Sequence, residues 1–489
     1  MQGTIVLYPS PGMGHIVSMV ELGKLILHHY NNHFSITILL INGEFSSSPT
    51  IISYVDTISK TYPSISFHPL TPHSIDIFPP RSYLAMAFEL IRVSTLEAIQ
   101  SLAEISKRSK VSAFIIDYFC TYALSEAKDL NIPTYYFSTS GAGVLATFLN
   151  FPKICKQHTK SFKDLPDTVF HFPGGLPDLR AINMPDPLLD RDDPAYLEMV
   201  YFSSHMPKAD GIIVNTFDDL EPKAVRLLTD EEWARDVKVP PIYPIGPLIA
   251  DGGDFHHECL SWLDRQPSKS VVFMCFGSRG SFSKKQVKEI AKGLEMSGQR
   301  FLWVVKKPPL DEVSKQTDHT NEFDLEETMP QGFLERIQDR GKVVKSWVPQ
   351  MKVLSHESVG GFMTHCGWNS VLEAVVAGVP LVAWPLYAEQ HLNRNLLVEY
   401  MEMAIPVDQS DEDGFVSGDE VEKRVRELME SEKGRQLKEK SRKLKESAFA
   451  AWGDESGSSL RAFDVLVKKW QAANSVGVAY SPDKEKQSN

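Results

Sequence analysis

The chain has 489 residues, 42% of them hydrophobic, and carries 63 acidic against 51 basic side chains for a formal charge of −12. That length exceeds what one hydrophobic core usually supports, so two domains with a ligand cleft between them are expected. The acidic balance, without any Lys/Arg-rich block, argues against nucleic-acid binding. No apolar run approaches the roughly 20 residues of a membrane helix, and five scattered cysteines without a CxxC pair suit a reducing compartment, so a cytoplasmic protein without membrane insertion is expected.

The first stretch, MQGTIVLYPSPGMGH, lacks a basic n-region, and its apolar run stops at Pro9, so TIVLY (4–8) reads as a strand and not as a signal peptide. Helical spacing follows at Ile16, Met19, Val20, Gly23 and Leu27, which sets His15 in the first turn of a helix. A histidine there is either a cap or packed ring, or a base. The helix's positive end disfavours imidazolium, by ~0.3–1 kcal/mol at exposed sites, and would keep the ring neutral near pH 7.

Strands follow at SITILLI (35–41) and at AFIID (113–117), whose terminal Asp117 either opens the next helix or points a carboxylate into a cleft. Asp190-Arg191-Asp192 has the look of a metal-binding DxD, but Asp193-Pro194 reads as the N-cap and first-turn proline of a helix. After the strand GIIVNTF (211–217), proline and glycine cluster over 239–255, and we place an interdomain linker at 246–256. A second series brings VVFMCFG (271–277), a helix bearing Val287, Ile290, Ala291 and Leu294, then FLWVV (301–305), GGFMTH (360–365) and PLVAW (380–384). The charged, aperiodic 306–330 reads as an exposed loop, and 476–489 as a disordered tail. Strand and helix alternation of this kind specifies an α/β fold with parallel sheets covered on both faces.

Within HCGWNSVLEAV (365–375), GGFMTH is a strand, CGWN a tight turn and SVLEAVVAG a helix stopped at Gly378. Three readings compete. A metal site lacks further ligands at workable spacing, and Cys366 at a strand end is more often packing than nucleophile. Ser370 and Glu373 form an S-x-x-E capping box, or the same helix start holds a phosphate, with Gly367 admitting close approach and Ser370 and His365 donating to its oxygens. Local pattern leaves cap and phosphate site equally open.

The whole run WVPQMKVLSHESVGGFMTHCGWNSVLEAVVAGVPLVAWPLYAEQ, from Trp347 to Gln390, closely resembles the signature box of plant family-1 UDP-glycosyltransferases. The resemblance extends through PSPGMGH, FIIDYFCTYAL and FGSRGSFS, and is strongest to the branch acting on flavonoid, isoflavone, chalcone and dihydrochalcone phenols. It implies a GT-B fold of two facing Rossmann-like domains: 1–245 binding the acceptor, and 257–475 binding the UDP-sugar, with the last helix returning to the first domain.

Carried onto this sequence, the resemblance implies that Trp347 stacks on uracil, that the Val348 backbone and Gln350 read base and ribose, and that Glu373 takes the ribose hydroxyls. It assigns His365, Gly367, Asn369, Ser370 and Ser278 to the diphosphate, and Thr139, Trp368, Glu389 and Gln390 to the surroundings of the sugar. It pairs His15 as general base with Asp117 as the group that orients it. Inverting transfer would follow, with UDP-glucose as co-substrate, no cofactor and no metal required, and a monomer as the working unit. Gln390 favours glucose, where galactose users tend to carry His, and Trp368 stands where glucuronate users tend to carry Arg. Arg279 is either a solvated loop arginine or an extra cation near the diphosphate that would suit an acidic sugar. A flat phenolic acceptor calls for an apolar, aromatic pocket, for which Phe88, Phe119 and Tyr387 are the candidates. Transfer to ring carbon, or of glucuronate in place of glucose, is the alternative outcome within the family. Outside it, a dinucleotide oxidoreductase rests on Gly12 and Gly14 but finds Val17 where the third glycine belongs, and no histidine has Asp four residues on, as an HxxxD acyltransferase needs.

Overall fold

The computed structural model describes residues 2–30, 33–43, 49–75, 82–231, 233, 237–250, 256–309, 323–454 and 456–475. The tail at 476–489 and parts of the linker (251–255) and the charged loop (310–322) lie outside the described residues.

The apolar runs pair into two parallel sheets. The first contains β1 (Gly3–Tyr8), β2 (Phe34–Leu40), β3 (Ile65–Pro69), β4 (Val111–Asp117) and β5 (Thr134–Ser138). A two-residue antiparallel ribbon, β6 (Val169–Phe170) with β7 (Leu179–Arg180), precedes its last strands, β8 (Gly211–Val214) and β9 (Ile242–Pro244). The order across this sheet is β3-β2-β1-β4-β5-β8-β9. The second sheet contains β10 (Val271–Cys275), β11 (Arg300–Val305), β12 (Gly341–Lys345), β13 (Val359–Thr364), β14 (Leu381–Ala383) and β15 (Ala404–Pro406), in the order β12-β11-β10-β13-β14-β15. In both, chain order reverses beside the founding strand, between β1 and β4 and between β10 and β13. The fold class is α/β with two parallel sheets, as expected.

β1 shows why these strands are apolar throughout. Ile5 and Leu7 pack with the first helix (Met13–Tyr30) and the C-terminal helix (Ser458–Ser475), while Val6 and Tyr8 face a second cluster with Phe88 and Leu145. In β10 the alternation repeats, Val271 and Phe273 on one face and Val272 and Met274 on the other, under the helices Lys284–Ser297 and Gly418–Glu430. Two covered faces leave no solvent side for a polar alternation.

Two readings of irregular chain need correction. The Pro/Gly-rich 239–255 contains β9, whose Ile242 and Tyr243 pair with Ile212 and Ile213; an edge strand tolerates the prolines that hid it. The described end of the charged 306–330 is not an exposed loop, because Asp324 caps the short helix Leu325–Thr328, and Thr328 and Met329 are buried. Among the described residues no helix is long and apolar enough to cross a membrane.

The C-terminal helix returns to the first sheet. Trp470 is fully buried with its ring edge-on to Phe34 at 6.1 Å and Tyr135 at 5.9 Å, and Tyr30 donates to Asp464 at 2.5 Å. Replacing Trp470 by Ala is expected to cost about 3–5 kcal/mol. A melting temperature unchanged from wild type in thermal unfolding would show that this docking contributes nothing.

Candidate active site

The two reversals of strand order leave crevices at the carboxyl ends of β1/β4 and β10/β13, where open parallel sheets bind ligands. The turn leaving β1 depends on Gly12, whose φ of +120° is closed to side-chain-bearing residues, and it delivers His15 to the crevice. β4 ends there in Asp117. The His15 Nδ1 and Asp117 Oδ2 lie 2.8 Å apart, while the other carboxylate oxygen accepts from the Phe119 backbone N–H at 3.1 Å. Asp117 is therefore both helix opener and orienting carboxylate. Because a carboxylate can only accept, Nδ1 carries the proton, and Nε2 is left as the basic atom.

Burial disfavours the imidazolium of His15, but the charge and hydrogen bond of Asp117, joined by the charge of Glu389, outweigh it, so the ring's pKa is raised. This corrects the expectation from the helix dipole, which sets the first turn of the helix against a charged ring. A carboxylate at hydrogen-bond distance is the stronger influence.

Aromatic rings continue from the base. Phe119 lies 5.6 Å from the His15 ring and 5.1 Å from Phe88, which meets Phe202 edge-on at 5.2 Å. Phe88 is buried and Phe119 half-buried, so Phe119 is the ring a ligand would meet first.

Across the cleft, β13 runs into the helix Trp368–Ala377 through a tight turn in which Cys366 adopts φ +65° and Gly367 is the N-cap. The capping box is absent. The helix begins before Ser370, which together with Glu373 accepts from Gln350 Nε2, at 2.9 and 2.5 Å. Burial raises the Glu373 carboxyl to about 7, against the opposing Gln350 bond. The His365 ring sits between Gly277 and Gly367, and a Cβ at either would run into its Nε2. Burial, then the nearby Lys306 charge, lowers the His365 pKa to about 4, so the ring is a neutral hydrogen-bonding group at pH 7. Cys366 is fully buried and its thiol pKa is pushed far up, which removes it as a nucleophile.

Trp347 is 51% exposed at this edge, with its ring 6.4 Å from His257; the Val348 side chain is buried, and Ser278 is exposed in the turn after β10. Thr139 is half-buried in the turn after β5. Glu389 is half-buried, and Tyr387 has its ring 6.1 Å from His365.

Three expected donor residues are engaged elsewhere. The Trp368 indole donates to the Asn215 carbonyl at 2.7 Å and packs on Gly141, across from its own sheet. Asn369 donates to the Gly14 carbonyl and accepts from the Ser18 hydroxyl, both at 3.1 Å. The Gln390 carbonyl oxygen accepts from the Leu386 and Tyr387 backbone N–H groups, so it shapes the turn. Sequence alone could not show that these side chains reach across the molecule or back onto their own loop.

Lys306, at the end of β11, was missed. Its ammonium donates to the Ser278 carbonyl, burial lowers its pKa, and among the described residues no carboxylate pairs with it. A lysine pair, Lys306-Lys307, directly following an apolar strand at the same sheet edge was the available signal. Asp190, by contrast, pairs with Lys163 at 2.5 Å, and Asp193 caps the helix Pro194–His205 as expected.

Residues 198–433 match the family model described as UDP-glucoronosyl and UDP-glucosyl transferase. The chain is 58% identical to UDP-glycosyltransferase 88F3 of Pyrus communis over 472 residues, 94% of this chain and 98% of that protein. It is 58% identical over 474 residues to a phloretin 2'-O-glucosyltransferase of Malus domestica, again 94% and 98% of the two chains. The structure of Phytolacca americana UGT2 complexed with UDP-2fluoro-glucose and pterostilbene superimposes with a TM-score of 0.84 at 37% identity, over 96% of this chain and 100% of that one.

Glu373 gives the site a pH signature. Its folded pKa of about 7 stands above the ordinary 4.5, so its proton stabilises the fold, and stability falls as pH rises from 4.5 through 7. Glu373→Gln should therefore melt higher than wild type at pH 8 and alike at pH 4. Equal melting temperatures at both pH values would place the carboxyl in water.

Proposed function

The chain belongs to the plant family-1 UDP-glycosyltransferases, and from that premise we propose that it transfers glucose from UDP-glucose to a phenolic hydroxyl of a dihydrochalcone, chalcone, flavonoid or isoflavone, with inversion, to give a β-O-glucoside. The observation that carries this reading is the His15–Asp117 pair, with its open Nε2 beside an aromatic surface at the crevice of the first sheet.

The acceptor lies against Phe119 and Tyr387, with the buried Phe88 backing Phe119. His15 Nε2 takes the hydroxyl proton, Asp117 stabilises the imidazolium without taking the proton itself, and the acceptor oxygen attacks the anomeric carbon. The bond from the anomeric carbon to the diphosphate breaks on the opposite face, and its electron pair leaves with UDP. The growing negative charge meets the N-terminus of the helix Trp368–Ala377, the neutral His365, Ser278 and Lys306, so this mechanism calls for no divalent metal. Trp347 stacks on the base, the Val348 backbone and Gln350 read it, and Glu373 with Gln350 takes the ribose. Glu389, Thr139 and the Gln390 amide nitrogen line the sugar, whereas Trp368 and Asn369 hold the cleft walls together.

Residues 1–245 form the acceptor domain and 257–475 the donor domain, joined at 246–256, with the last helix returning to the acceptor domain. Both sites are completed within one chain, in keeping with a monomer. Five free cysteines and the absence of a membrane-length helix among the described residues favour the cytoplasm. The relatives' activities support the acceptor class, one being a phloretin 2'-O-glucosyltransferase and one structure holding pterostilbene.

Mass spectrometry of the protein incubated with UDP-glucose, UDP-galactose and UDP-glucuronate in competition, over chalcones, flavones, isoflavones and simple phenols, should yield an acid-labile hexose on a polyphenol. An acid-resistant hexose would mean transfer to carbon, and no transfer with UDP still bound would remove the acceptor class. His15→Ala should lower kcat by about 10²–10⁴ while UDP affinity stays within about threefold. The acid limb of kcat/KM should lie above 6.5 and move to lower pH in Asp117→Asn, since that carboxylate is what raises His15. A limb that does not move would separate the pair.

A further inference from the structure

Arg279 has no part in the mechanism above, yet it stands in the cleft. Its guanidinium carbon lies 4.5 Å from the ring centre of Tyr83 and 5.3 Å from that of Tyr387. Tyr83 opens the helix Tyr83–Arg108, which carries Phe88 to the aromatic surface beside His15. Tyr387 follows β14 on the opposite wall, so the arginine bridges the cleft on its acceptor side. Arg279 is itself exposed, and its cation lies over both tyrosine rings. The five N–H donors at the edge remain, and among the described residues no oxygen accepts from them. A guanidinium held over two rings with unspent donors is a receptor for an anionic oxygen.

The charged and titratable groups around this point include His15, Asp117 behind it, Glu389, Tyr83 and Tyr387, with His365 beside Tyr387, Asp186 at the Ala388 N–H and Lys306 on the Ser278 carbonyl. At His15, Arg279 is the cation acting against Asp117 and Glu389. The position that receives a proton from the acceptor thus lies in the field of a fixed positive charge that favours the deprotonated oxygen left behind.

We propose that Arg279 determines acceptor specificity by binding the acceptor oxygen as a phenolate, so that the enzyme selects acidic phenols over neutral alcohols. This rests on the glucosyl-transfer reading above. The phenol's proton resides on His15 Nε2, the phenolate oxygen pairs with the guanidinium edge until it bonds to the anomeric carbon, and the diphosphate departs with the electrons of the broken bond. The acceptors favoured are those whose hydroxyl is acidified by a carbonyl or other electron-withdrawing group on the same ring.

The test uses 4-nitrophenol, whose phenolate absorbs in the visible, titrated onto the full-length protein in the presence of UDP. Wild type should lower the bound phenol's apparent pKa by about one to three pH units; Arg279→Gln should abolish that shift and Arg279→Lys restore part of it. Equal values for wild type and Arg279→Gln, or no bound phenolate spectrum in wild type, would overturn the proposal. With UDP-glucose and phenols graded in acidity, Arg279→Gln should lose about tenfold to a hundredfold in kcat/KM on the most acidic and less than about threefold on 4-methoxyphenol. A uniform loss across the series overturns it. Weaker UDP binding by calorimetry would assign the cation to the diphosphate, and a selective loss of UDP-glucuronate use would assign it to an acidic sugar; either also overturns it. If no phenol is glucosylated at all, the transfer reading falls, while the absorbance titration still decides whether Arg279 holds a phenolate.

Discussion

Both sheets reverse their strand order beside a central strand, and the placement of His15, Asp117 and His365 depends on those two reversals. A parallel strand hands its chain to a crossover that must leave on one face or the other. Where neighbouring crossovers leave on opposite faces, the carboxyl ends of the strands stay uncovered. β1 and β4 open one such gap and β10 and β13 the other. His15 and Asp117 are more than a hundred residues apart in sequence and 2.8 Å apart in space because they follow adjacent strands of one pair. Gly277 and His365 come together beside the second pair for the same reason.

The two gaps then treat the same side chain in opposite ways. His15 sits against a carboxylate, and its pKa rises; His365 is buried near an ammonium, and its pKa falls to about 4. One imidazole is suited to accept a proton and the other to remain neutral beside an anion. Glu373, raised to about 7 by burial, is held by Gln350 and not by the helix start it was expected to cap. A carboxyl out of water takes the nearest donor, and the amide of Gln350 outcompeted a helix terminus that begins three residues too early for the capping box.

Several residues of the signature box serve the walls of the cleft. Trp368 and Asn369 lie at the mouth of the box helix, and their side chains bond to Asn215 and to Gly14 and Ser18 on the other sheet's side. The same segment thus fixes the distance between the start of the box helix and the turn that carries His15. The geometry of the two crevices is set together.

The sequence by itself determined the α/β class, the eight strongest strands, the helix carrying His15, the N-cap at Asp193 and the signature box, because each of these is written in local periodicity or in contiguous residues. Tertiary structure alone decided the rest. β9 pairs despite its prolines because an edge strand has one side free, and Lys306 became part of the site only when β11 placed it beside Ser278. The pKa of His15 is set by a carboxylate over a hundred residues away, and the indole of Trp368 found its acceptor on the opposite wall. Local patterns record which backbone a segment prefers; charge, burial and hydrogen-bond partners are properties of three-dimensional neighbours, and those exist only once the sheets have closed on each other.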